Sequence, residues 1–219
     1  MLPRVLEPEV MDTSEEARDY DSMDHSQVNR VFVADFLAVW HGRNPILDVG
    51  AGTAQIPIEL CRQSSAATIV AIDLAEEMLK VGRKNVRAAG LDSRLRLECI
   101  DAKHMPYSAG AFAAVISNSI VHHIPEPKNV LAEMVRVLQP GGVLFVRDLL
   151  RPTDAAHLNH LLALYAAGAN EHQKRMFAES LNAALTLDEV RSLILPLGFD
   201  PTSVQQTTDR HWTWTAVQK

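Results

Sequence analysis

The segment PILDVGAGTAQI, residues 45–56, constrains the fold more than any other part of the chain. Three apolar residues, Ile46, Leu47 and Val49, run into two glycines one residue apart, after which Ile56 and Leu60 recur at helical spacing. This is the pattern of a buried strand, a tight turn and a helix. Small residues at Gly50, Ala51 and Gly52 let main chain approach a ligand closely, and amides exposed at the helix start favour anionic or carbonyl oxygens. Thr53 is placed to cap the helix, and Pro57 falls in its first turn, where a missing N–H costs little.

A Gly-x-Gly turn alone is common, so the spacing of the later strands and their terminal residues decides its meaning. The next strand pattern, 68–72, ends in Asp73, 23 residues beyond Gly50. A carboxylate there can accept hydrogen bonds from both hydroxyls of a nucleoside ribose, and it can equally cap the helix opening at Ala75. A third strand, 94–100, runs into Asp101 and Ala102, and a fourth, 112–117, runs into Asn118. Four successive strands therefore finish in polar groups at their carboxyl ends, the edge where open α/β sheets bind ligands. The third position of the dinucleotide pattern G-x-G-x-x-G is Gln55, whose bulk at a close-packing site argues against NAD.

The set ILDVGAGTAQ (46–55), VAIDLAEEML (70–79), CIDAKHMPY (99–107), FAAVISNSIVHHI (112–124) and VLQPGGVLFVRD (137–148) resembles class I S-adenosylmethionine-dependent methyltransferases of small-molecule type, the menaquinone-like methyltransferase-domain group. The resemblance implies a Rossmann-like α/β fold: a doubly wound seven-stranded sheet, mostly parallel with an antiparallel last strand. It implies that Asp48, Gly50 and Gly52 hold the methionine end of S-adenosylmethionine and Asp73 the ribose. Asp101 with Ala102 would meet the adenine amino edge, and Asn118 would lie beneath the sulfonium. Ala51, Gln55, Leu74, Met78 and Ser119 adjoin these positions and are grouped with them; Met78 is equally a core residue on a helix face.

The chain reads as one domain, 1–219, with an N-terminal arm and cap helices over 1–42 and a helical insertion over 151–185. Residues 1–12 contain two prolines and no periodicity, the pattern of an arm or a disordered segment. Thr13 and Glu16 form a capping box, and six acids and one arginine lie between Asp12 and Asp24. That stretch is either a solvated helix face or a lid that turns Tyr20, Asp21 or His25 toward an acceptor. Val28, Val31, Phe32, Phe36 and Val39 then recur at helical spacing. The insertion reads as two helices, about 154–168 and 170–184, which makes His157, His160, Tyr165, His172 and Arg175 candidates for selectivity in an acceptor-site lid. A last helix opens at Thr186, and strands 199–207 and 211–217 form a hairpin.

The loop after strand four carries His122 and His123, which, with Tyr20, are the candidate catalytic groups. An imidazole can accept a proton near neutral pH, or it can simply brace the loop. No third and fourth metal ligand stands at a recognisable spacing, so no metal is expected. Asp148 ends strand five, as a further polar group at the ligand edge or as a salt-bridge partner of Arg147 or Arg151. A net charge of −6 disfavours nucleic acid, two cysteines give no disulfide framework, and no run reaches the about 18 apolar residues of a membrane span. The expectation is a cytoplasmic enzyme, monomer or homodimer, that transfers a methyl group to a small-molecule acceptor by in-line displacement. Transfer from a sulfonium demands mainly alignment and exclusion of water. The alternatives are a protein that binds the cofactor without turnover and, third, a nicotinamide-linked oxidoreductase.

Overall fold

The computed structural model describes residues 2–9 and 12–219, so residues 1, 10 and 11 of the arm lie outside the described residues. Seven strands form one sheet in the order β3-β2-β1-β4-β5-β7-β6. They are β1 (Ile46–Val49), β2 (Ile69–Asp73), β3 (Leu95–Cys99), β4 (Phe112–Asn118), β5 (Leu138–Leu149), β6 (Val204–Gln206) and β7 (His211–Val217). The chain divides into two compact units: a larger one of residues 10–118, 129–146 and 215–219, and a smaller one of residues 1–9, 119–128 and 147–214. Among the described residues no helix is long and apolar enough to cross a membrane.

In the larger unit β1 pairs in parallel with both β2 and β4, and all four of its residues are buried. That is why its sequence is an apolar run rather than an alternation. The register aligns Val49 with Ile72 on one side and Ser117 on the other, so Gly50, Asp73 and Asn118 come next at one level of the sheet. Helices α1 (Ser14–Ser22), α2 (Ser26–Val39), α3 (Gln55–Gln63), α4 (Glu76–Ala88) and most of α5 (Lys128–Val137) belong to this unit. The capping box of Thr13 and Glu16 opens α1 as expected. Phe32 and Phe36 of α2 are fully buried and meet Phe145 at ring-centroid distances of 5.2 and 6.0 Å. Gly82 lets α4 close on the turn after β1, since a Cβ there would stand 3.2 Å from the Thr53 carbonyl carbon.

The smaller unit holds α6 (Ala155–Tyr165), α7 (Glu171–Ala183), α8 (Leu187–Ile194), β6 and most of β7. The two helices of the 151–185 stretch are present, joined by a turn that ends in an Asn170–Gln173 capping box. Leu149, Leu161, Leu181 and Ala184 form its local core. Trp212 and Trp214 are fully buried, and Phe199 packs edge-on against Trp214 at 5.2 Å. Residues 2–9 are an extended arm: the Val5 amide donates to the Asn182 carbonyl, and Arg4 donates to the carbonyls of Ala183, Pro125, His122 and Ile124.

Several boundaries differ from the sequence reading, among them the first insertion helix, which ends at Tyr165 and not near 168. The final hairpin is antiparallel as expected, but its first strand starts at Val204, because Asp200 caps a 3₁₀ turn over Pro201–Ser203. Pro140, Gly141 and Gly142, which by residue type would end a helix ahead of a strand at 143–146, lie inside β5, which already runs from Leu138, and Gly141 and Gly142 exchange backbone hydrogen bonds with Gln218. A Cβ on Gly142 would lie 2.7 Å from Leu138 Cδ1, 2.8 Å from the Gln139 oxygen and 2.9 Å from the Ala113 oxygen. Two of these neighbours are backbone and cannot swing away. Gly142→Ala should therefore destabilise the fold by about 1–3 kcal/mol, read as a lowered urea midpoint at unchanged slope.

Candidate active site

The turn after β1 places its groups by internal hydrogen bonds. Gly50 and Gly52 have φ of 80° and 52°, left-handed values that disfavour a side chain. The Gly50 and Ala51 amides both donate to the Ile72 carbonyl, at 2.8 and 2.9 Å, and the Ala54 amide to the Ala51 carbonyl at 2.9 Å. The Gly52 amide donates to Asp73 Oδ2 at 2.7 Å, while Asp73 Oδ1 accepts from the Ala75 amide at 2.9 Å. Of the two roles read from the sequence, the structure shows the local one, Asp73 receiving the amide at the start of α4, and adds its bond to the turn after β1. The Gly50, Ala51 and Gly52 amides are thus all used within the fold, by the sheet and by the Asp73 carboxylate. The expected cap at Thr53 is corrected: Ala54, left-handed at φ 66°, is the N-cap of α3, and the buried Thr53 hydroxyl has no partner among the described residues.

Asp48 is 2% exposed, and its Oδ2 has no hydrogen-bond partner among the described residues. Burial first, and the charge of Asp73 second, push its carboxyl up to about 8. The Tyr20 ring lies over the turn, with Cε1 3.8 Å from where a Gly52 Cβ would stand. Burial and then Asp73, Asp21 and Asp48 push its phenol up to about 12, so it keeps its proton at neutral pH. Gln55 holds α1 in this place: its amide nitrogen donates to the Asp21 carbonyl and Oδ1 at 3.4 and 3.3 Å, and its oxygen accepts from Asn29 at 3.3 Å. Asn85 adds bonds to Asp21 Oδ1 and the Thr53 carbonyl at 2.9 and 3.1 Å.

Met78 is buried against Ala17, Ala75 and Tyr20, whereas Leu74 is 40% exposed. Asp101 accepts from the Lys103 amide at 2.9 Å and meets its ammonium at 3.2 Å; burial opposes its charge, but these contacts hold its carboxyl below the ordinary range. Ala102 beside it and Asn118 at the end of β4 are half-buried. The structure therefore gathers Asp48, Gly50, Gly52, Asp73 and Tyr20 in the larger unit, and places His122, His123 and Ser119 in the smaller one. Ser119, at φ 58°, donates its amide to the Arg147 carbonyl at 2.9 Å.

The histidines sit in a second polar cluster. His122 is 3% exposed, and its Nδ1 lies 2.5 Å from Oδ1 of Asp148, itself 1% exposed. Asp148 Oδ2 accepts from the Val121 amide and Oδ1 from the Leu149 amide, both at 2.6 Å. Of the arginines considered beside Asp148, Arg147 donates to Thr213 Oγ1 at 2.9 Å, and Arg151 pairs with Glu189 at 2.5 Å. Glu7 Oε1 stands 3.4 Å from His122 Nε2 and 3.1 Å from His123 Nδ1. Burial opposes the charge on His122, yet Asp148 and then Glu7 outweigh it and raise the imidazole above its ordinary value. Asp148 moves oppositely: burial works against it, but His122 and the two amides hold its carboxyl low. Of the insertion candidates, Tyr165 is tied down by Asp209 at 2.6 Å and by Arg210 stacked over its ring, and His160, His172 and Arg175 are exposed. Glu7 and Arg4 escaped the sequence reading because an arm without periodicity carries no signal of its long-range partners.

Sheet order and cradle together define a doubly wound α/β protein, a class whose ligands bind at the carboxyl edge of the strands. The methyltransferase domain family matches residues 47–146. The chain is 34% identical over 105 residues to Methyltransferase GfsG of Streptomyces halstedii, covering 48% of this chain and 37% of that one. It is 29% identical over 165 residues to the demethylmenaquinone methyltransferase of Porphyromonas gingivalis, covering 70% and 67%. The matched parts thus span from 37% to 67% of the length of these two curated relatives. A crystal structure of a SAM-dependent methyltransferase from Aquifex aeolicus shares the fold, with a TM-score of 0.68 at 17% identity over 95% of this chain and 100% of that one. Residues 47–146 thus match a methyltransferase domain, the fold is shared with S-adenosylmethionine-dependent methyltransferases, and the chain is similar to ubiquinone and menaquinone enzymes, a likeness that supports S-adenosylmethionine as the cofactor.

The raised pKa of Asp48 has a definite sign in stability. An acid that holds its proton more tightly when folded contributes fully below its unfolded pKa, near 4, and loses that contribution as pH rises through about 8. Ligand-free protein should lose stability over that window through Asp48, and Asp48→Asn should flatten the loss. Urea melts of both proteins at pH 5 and pH 8.5 check this; parallel curves would remove Asp48 as the cause.

Proposed function

We propose that this protein transfers the methyl group of S-adenosylmethionine to a small-molecule acceptor by in-line displacement. The observation that carries the proposal is the buried carboxylate oxygen of Asp48, without a partner among the described residues, beside a glycine turn whose amides are already satisfied. Such a site repels phosphate and suits the ammonium at the methionine end of a sulfonium nucleoside. The cofactor supplies a methyl group already activated by a positive sulfur, so the protein's task is alignment and exclusion of water.

In this reading Asp48, Gly50, Ala51 and Gly52 hold the methionine end, and Asp73 receives the ribose hydroxyls. Asp101 and Ala102, with Leu74 and Met78, receive the adenine; Asn118 and Ser119 border the sulfonium. Tyr20 closes over the turn as a protonated wall, which suits a hydrogen-bond donor and not a base. His122, set by Asp148, and His123, beside Glu7, form the polar centre that engages a protic group of the acceptor. The helices over 151–185 act as the lid that selects it.

Calorimetry with S-adenosylhomocysteine tests the donor side. Asp73→Ala should weaken binding at least tenfold, about 1.4 kcal/mol. Undiminished binding would overturn the assignment. Because Asp48 starts protonated at pH 6.5 and must ionise to meet an ammonium, binding there should release up to one proton, read from the slope of heat against buffer ionisation enthalpy; Asp48→Asn should abolish the slope. Methyl transfer itself is read as S-adenosylhomocysteine release over a panel of hydroxylated and aminated acceptors, and binding without release across the panel would favour a non-catalytic protein.

A further inference from the structure

We propose that Glu7, His122 and His123 form a binding site for one divalent transition-metal ion of the zinc class. His122 Nε2, His123 Nδ1 and Glu7 Oε1 all lie within 4.8 Å of one another. In a tetrahedral zinc shell with bonds of about 2.0–2.1 Å, neighbouring ligand atoms stand roughly 3.3–3.4 Å apart. The two carboxylate-to-imidazole distances, 3.4 and 3.1 Å, match the edges of such a shell.

Hydrogen bonding does not account for the arrangement. Glu7 Oε1 and His123 Nδ1 are buried atoms that make no hydrogen bond of acceptable geometry among the described residues, although they face each other at 3.1 Å. Arg4, the nearest fixed cation on the arm, directs its bonds to four backbone carbonyls and leaves Glu7 unpaired by it. Ser180 meanwhile holds the other Glu7 oxygen, Oε2, at 3.2 Å, which leaves Oε1 to the imidazoles. A cation shared by the three atoms satisfies all of them.

The outer groups are those a metal site needs. Asp148 engages His122 Nδ1 and so fixes the tautomer that leaves Nε2 with its lone pair, the carboxylate–histidine support common behind metal ligands. Two imidazoles and one carboxylate suit zinc, iron or nickel rather than calcium or magnesium. Three protein ligands leave a position open to an outside oxygen. Occupation of that position by an acceptor hydroxyl would explain how the histidine pair engages a protic group; this last step rests on the methyl-transfer reading, whereas ion binding does not.

The test uses full-length protein stripped with a chelator and titrated with Zn²⁺ against a chromophoric chelator at pH 7.5, with Co²⁺ absorption as a second readout. One ion per chain at micromolar affinity or tighter is expected. Glu7→Gln and His123→Gln, both at partly exposed positions, should each weaken it at least tenfold, and Asp148→Asn 10- to 100-fold. The exposed His41→Gln should leave it unchanged. No stoichiometric zinc, or equal affinity in Glu7→Gln, His123→Gln and wild type, overturns the site. S-adenosylhomocysteine calorimetry on the stripped protein separates the two readings: intact binding there leaves the donor site standing even if zinc does not bind.

Discussion

The carboxylate of Asp73 is the constraint on which the larger unit depends. One of its oxygens receives the Gly52 amide from the turn after β1, and the other the Ala75 amide at the start of α4. A single side chain at the end of β2 therefore fixes both the bend and the neighbouring helix. Removing it would leave two buried donors without an acceptor, each costing about 1–3 kcal/mol in a partly dry site. The same charge adds to burial, the larger cause, in raising the neighbouring Asp48 and Tyr20, so Asp73 contributes to both geometry and protonation in the cradle.

The smaller unit is organised by a different pairing, that of His122 with Asp148. Both groups are almost fully buried, and each would be costly alone. Asp148 is held by two backbone amides as well, so the imidazole takes its orientation from the end of β5 and not from its own short loop. Glu7 and Arg4 then bring the arm onto that loop, one through side chains and the other through carbonyls.

What could be read in the sequence depends on how local each signal is. The strand ahead of Gly50, the Asp73 spacing and the Thr13 capping box are written in contiguous residues, and the sheet order reflects a repeated strand-and-helix pattern. Side-chain partners across long separations were not legible. Nothing near Asp148 indicates that it engages His122, because that pairing is made across 26 residues by burial and two amides. Thr53 looked like a cap by residue type, but a left-handed Ala54 moves the helix start by one residue and strands the hydroxyl. The arm was least legible of all: its charged residues acquire meaning only when α7 and the His122 loop are beside them.

The distribution of indole rings has a spectroscopic consequence. Trp212 and Trp214 are sealed in the smaller unit, while Trp40, the remaining tryptophan, sits half-buried at the end of α2 in the larger one. Intrinsic fluorescence of this protein is therefore weighted toward β7, and quenching by a water-soluble agent selects the α2 ring. Emission colour and quencher access give separate optical handles on the two halves of one chain.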